Sequence, residues 1–142
     1  MRAWFLLGFG LVCASGCGGR SYKYVPVSGT VTLNGHPLAN ATVTFLPVAP
    51  EGTTEAGDSS VGKTNEKGEF TLETVKGVNG ALVGRHNVSV SQLNPDVGDT
   101  DRRPRRGALT NALPRRYNND TELTFEVPAG GTDKAEFKLT SP

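Results

Sequence analysis

From Val25 onward, apolar and polar side chains alternate with a period of two. Val27, Gly29, Val31 and Leu33 interleave with Ser28, Thr30 and Thr32, and Ala41, Val43 and Phe45 with Thr42 and Thr44. The same rhythm carries Phe70 and Leu72, Val88 and Val90, Leu123, Phe125 and Val127, and finally Ala135, Phe137 and Leu139. Alternation of this kind turns one face of a strand to a core and the other to water. A further short strand is predicted at Val61 to Thr64. Beyond the N-terminal segment no stretch keeps a helical period for ten residues.

The turn chemistry agrees with the strands. Asn34-Gly35 and Asn65-Glu66-Lys67-Gly68 are hairpin signals, and Gly77-Val78-Asn79-Gly80 and Pro128-Ala129-Gly130-Gly131 mark two more reversals. Half-buried strands at this spacing predict an all-β, antiparallel sandwich. Its core is expected to contain Phe45, Phe70, Phe125 and Phe137.

The N-terminus follows a different pattern. Arg2 precedes an apolar run from Ala3 to Val12, followed by small residues. A run this short does not span a bilayer as a permanent helix, and its layout is that of a secretory signal. Ala14-Ser15-Gly16-Cys17 resembles the lipobox of bacterial lipoproteins, although Ala14 stands where that pattern favours Leu. The resemblance implies a signal peptide over residues 1–16, acylation of Cys17, and a lipidated tether over 17–24. Cys13 is a poorer candidate, because Val12 precedes it where a small residue is wanted. Plain secretory cleavage, leaving a free thiol, is the competing expectation. With Cys13 removed and Cys17 acylated, no disulfide is available, so the body must hold by packing.

A second resemblance lies in the body. Val27-Ser28-Gly29-Thr30-Val31, with Asn34-Gly35-His36-Pro37-Leu38-Ala39-Asn40-Ala41-Thr42-Val43, resembles the opening of carboxypeptidase regulatory-like domains. Thr64-Asn65-Glu66-Lys67-Gly68-Glu69-Phe70 is similar to their second signature, and Gly80-Ala81-Leu82-Val83-Gly84-Arg85-His86-Asn87-Val88-Ser89-Val90 to their third. The likeness implies a seven-stranded antiparallel Greek-key sandwich over residues 25–142, prealbumin-like (transthyretin-like) in form. It also implies a structural or binding accessory module without catalytic residues, cofactor or metal. These motifs are turn-and-core features and specify fold better than function.

The side-chain inventory favours few chemistries. His36 in a turn and His86 at a strand start are both expected to face solvent, and no paired-Cys or His-x-x-x-His spacing accompanies them. A hydrolase branch of transthyretin-like folds carries a C-terminal Tyr-Arg-Gly-Ser, whereas this chain ends Lys138-Leu139-Thr140-Ser141-Pro142. An isopeptide cross-link lacks its early Lys and late Asn. Asp96, Asp99 and Asp101 crowd one loop but lack the spacing and closing Glu of an EF-hand.

Charge adds one anomaly. The formal net charge is +1, and loss of Arg2 with the leader makes the body neutral, which disfavours nucleic acid as a partner. Yet Arg102, Arg103, Arg105, Arg106, Arg115 and Arg116 fall within one connection, at about residues 93–119. A connection that long is usually functional or disordered. Two readings stand: an anion- or carbohydrate-binding patch, or a solvated loop partly neutralised by its aspartates. The expected setting is the bacterial cell envelope, at the outer membrane or periplasmic face. The expected partners are membrane lipid through Cys17 and an envelope protein or polysaccharide.

Overall fold

The computed structural model describes residues 21–92 and 113–141. In chain order the strands are β1 (Tyr24–Val25), β2 (Val27–Leu33), β3 (His36–Pro37), β4 (Thr42–Pro47), β5 (Ser60–Lys63) and β6 (Glu69–Thr71). They continue with β7 (Glu73–Thr74), β8 (Ala81–Leu82), β9 (Gly84–Ser91), β10 (Leu123–Val127) and β11 (Thr132–Leu139). A single 3-10 turn at Arg115–Tyr117 is the only helical element among the described residues. Each predicted strand is present, and β1, β3 and β8 are short additions.

One sheet has the order β10-β9-β4-β5-β7, a second the order β11-β2-β3 with β6 also paired to β2, and β1-β8 forms a two-stranded ribbon. Glu69 to Thr74 is one apolar-polar run that serves both larger sheets. Its first half, β6, pairs with β2, and its second half, β7, with β5. Between them Leu72 is fully buried, and its amide donates to the Val27 carbonyl at 2.9 Å. The run crosses the core at Leu72.

The pairing departs from the expectation in one place. β2 and β11 run parallel, with Val31 opposite Phe137. Antiparallel neighbours can be joined by a tight turn, whereas parallel ones need a long connection. These two strands come from opposite ends of the chain, and nothing local dictates their relative direction. Gly29 permits their close approach: a β-carbon there would overlap the Ala135 carbonyl oxygen.

The two larger sheets meet through aromatic rings. Phe45 of β4 lies 5.7 Å from Phe125 and 5.9 Å from Phe137, and Phe137 lies 6.2 Å from Phe70, in tilted or edge-on arrangements. Offset and edge contacts at such separations suit the ring quadrupole. Phe45 is fully buried, whereas Phe125 packs against the core while partly exposed. Val27, Val31, Val43, Val88 and Val90 complete the inner faces. The expected phase of every one of these strands is observed.

The turns follow their residues. Asn34 and Gly35 both take positive φ, 52° and 80°, as a mirror-image hairpin turn between β2 and β3 demands. In the turn before β6, the Asn65 side-chain oxygen accepts from the amides of Lys67 and Glu69 at 2.9 and 3.0 Å. The short Asn side chain thereby satisfies backbone donors that no strand reaches.

Candidate functional site

Where β4 ends, at Pro47, its ladder with β9 continues for one more residue, with the Val48 amide donating to the Arg85 carbonyl at 2.9 Å. Pro50 then begins a turn in which the Thr53 amide and hydroxyl both donate to the Pro50 carbonyl. On the other side the chain arrives as Ser21–Lys23 and joins β8, with the Val83 amide donating to the Lys23 carbonyl at 3.0 Å. Between these strips lies an open groove of about 750 Å³. Tyr22, Pro47, Val48, Pro50, Leu82 and Val83 give it an apolar lining.

The walls are held together by side chains. The Tyr24 hydroxyl donates to the Asp58 carboxylate at 3.2 Å, and Asp58 pairs with Lys76 at 2.9 Å. That lysine holds the Asp58 carboxyl below the usual carboxylate range, and the carboxylate in turn raises the lysine. The Tyr22 hydroxyl donates to Glu55 at 3.3 Å, which ties the arriving chain to the loop beyond Pro50. At Gly57 a β-carbon would press on the Leu82 side chain and the Tyr22 ring. Glycine lets the loop close on both.

Charge around the groove balances. Lys23 and Arg85 stand against Glu51 and Glu55. Ser21 contributes the sole aliphatic hydroxyl of the lining, and no histidine stands beside it. The arrangement can receive an apolar or amphipathic group. It offers no nucleophile–base pair.

The residues expected to act fall elsewhere. Cys17, the leader, and Arg102, Arg103, Arg105 and Arg106 lie outside the described residues, as do Asp96, Asp99 and Asp101. Arg115 and Arg116 are described, on the 3-10 turn. Arg115 pairs with Asp120 at 3.1 Å, and Arg116 donates to the Thr140 carbonyl at 2.6 Å while lying 4.9 Å from the centre of the Tyr117 ring. Both arginines are engaged within the chain.

Three expectations need correction. The sequence predicts loop between β9 and β10 as far as Asn119, but Leu113 and Tyr117 are buried. Leu113-Pro114-Arg115-Arg116-Tyr117 spaces two apolar side chains four apart, and a 3-10 turn after Pro114 delivers both to the core. That spacing is the signal the alternation pattern hides. Tyr117 accordingly offers no exposed aromatic platform. His86, expected in solvent, is fully buried, because its position in β9 shares the inward phase of Val88 and Val90. Its Nδ1 lies 3.0 Å from the Gly84 carbonyl, and burial lowers its pKa below the usual 6.5. Its Nε2 has no hydrogen-bond partner.

His36, by contrast, is exposed as expected. Among the described residues no three His, Cys, Asp or Glu side chains converge as a metal site would require, and no helix is long and apolar enough to cross a membrane.

No family model, curated protein or solved structure matches the chain. The site therefore rests on its own geometry.

Proposed function

We propose that the protein is a non-enzymatic, lipid-anchored β-sandwich of the bacterial cell envelope that acts through binding, with Cys17 as the acylated residue. In this reading its body is a carboxypeptidase regulatory-like, transthyretin-like module. The observation that carries the proposal is the position of Cys17: the leader pattern ends there, and strand β1 begins at Tyr24. Everything after the acylated residue is then a short tether and a sandwich with one apolar groove at the tether's end. Further support for the module comes from two signature stretches, Asn34-Gly35 and Asn65 to Gly68, which lie in turns between paired strands. Two acyl chains or more would anchor firmly where one is marginal, since each buried methylene contributes about 0.8 kcal/mol.

Metabolic labelling with a radioactive fatty acid tests the anchor. Label should enter the wild-type protein and be lost in Cys17→Ala. Undiminished label in the variant would refute the assignment.

A further inference from the structure

The groove is built where the chain enters the fold, and that position determines what can reach it. Gly18, Gly19 and Arg20 are the only residues between Cys17 and Ser21, and Ser21 already lines the groove. A chain extends at most about 3.3–3.6 Å per residue, so Ser21 stays within roughly 14 Å of an acylated Cys17. A folded body of this size is on the order of 30 Å across. The tether is shorter than the body it holds, so the end of the sandwich bearing the groove is confined near the headgroup layer.

The surface there suits such a neighbour. Tyr22 and Val48 line the groove while 38% and 40% exposed. Tyrosine has an apolar ring and a polar tip, a combination favoured at the boundary between hydrocarbon and water. Lys23 and Arg85 carry long apolar stems that can lie along a lipid surface with their charges in the headgroups. Opposite them, Glu51 and Glu55 cancel their charge, so the surface complements a zwitterionic layer rather than an anionic one.

We infer that the Tyr22–Val48 lip of the groove is seated in the interface of a zwitterionic phospholipid layer, fixing the orientation of the body on the membrane. This rests on acylation at Cys17, which supplies the attachment. The lip supplies the orientation. The opposite end of the five-stranded sheet, where Thr42 pairs with Lys63 and Ser91, then points away from the lipid. Five residue steps from Thr42 to Pro47 put that end about 17 Å further out.

The test uses the full-length, acylated protein reconstituted into phosphatidylcholine vesicles containing nitroxide-labelled lipid. With Trp4→Phe as background, the reporters are Val48→Trp at the lip and Lys63→Trp at the far end. Flotation with the vesicles reports the anchor independently of either reporter. Both proteins should float. Emission from the lip reporter should be blue-shifted and quenched, that from the far-end reporter solvent-like and unquenched, with little change at high salt. Equal quenching of the two, or quenching of neither, in protein that floats would overturn the orientation and leave the anchor standing. Quenching that appears only with anionic lipid would overturn the zwitterionic fit. Absence of flotation would overturn the anchor and the orientation with it.

Discussion

The phenolic oxygen of Tyr117 is bonded to both backbone groups of Thr140, accepting from its amide at 3.0 Å and donating to its carbonyl at 3.2 Å. Thr140 directly follows β11, so a side chain from the 3-10 turn caps the last strand as a neighbouring strand would. Tyr117→Phe retains the ring and removes both bonds. It should lower stability by about 0.5–1.5 kcal/mol per bond lost, with water replacing part of the loss at this rim. Urea denaturation of the two proteins measures the difference. An unchanged midpoint would mean the hydroxyl adds nothing there.

His86 makes stability depend on pH. Its ring packs 5.5 Å from Phe45, and burial holds the folded imidazole below its usual pKa of 6.5. The unfolded chain therefore takes up the proton first. The stabilisation is complete above about pH 6.5 and declines as the pH falls from there through the folded pKa, by at most about 1.4 kcal/mol per pH unit. Melting temperatures between about pH 7.5 and 5, the range that brackets this titration, should fall in the wild type. In His86→Leu they should stay flatter over the same window. Parallel curves would show that another group titrates.

Phe45 and Phe125 separate full from partial burial. Phe45→Ala empties the meeting point of the two sheets and should cost about 3–5 kcal/mol. Phe125→Ala should cost less, because its ring is already partly in water. Thr124→Ala, on the exposed face, should change stability by no more than about 0.5 kcal/mol. Chemical denaturation of the three variants gives the ranking, and a Phe125 variant as damaged as that of Phe45 would contradict the burial described.

Gly29→Ala tests the parallel pair. The added methyl meets the Ala135 carbonyl, and backbone on both sides must move to relieve it. Overpacking in cores commonly costs about 1–3 kcal/mol, and a clash with backbone should fall at the upper end or beyond. Gly35→Ala has open space around its methyl, but its backbone is left-handed at φ 80°. It should cost about 1 kcal/mol. Comparable unfolding midpoints for the two would show that β2 and β11 are less close than described.

Strand positions and inward faces are readable because period-two alternation is a local property, written within a single strand such as Val27–Leu33 or Thr132–Leu139. Sheet partnership is not local. No feature near Gly29 or Ala135 announces that they meet, or in which direction the strands run. His86 defeats a reading by polarity, because its phase with Val88 and Val90 decides its side. The groove is hidden from the sequence for a related reason. Its walls are Ser21–Lys23, Pro47–Glu51 and Leu82–Arg85, three stretches that become neighbours only when β1 joins β8 and β4 joins β9.

The union of β2 with β11 also bears on the order in which the molecule can form. A ribosome releases the N-terminal partner more than a hundred residues before the C-terminal one, and no intermediate length of chain contains both. Until the last strand emerges, β2 shows an unpaired edge, the kind of surface that recruits other chains. A nascent protein cut short anywhere before Thr132 should therefore be a poor folder even though most of its core is present. Completion is an all-or-nothing event timed by the final few residues, and a holding factor acting before that moment would have one conspicuous strand to cover.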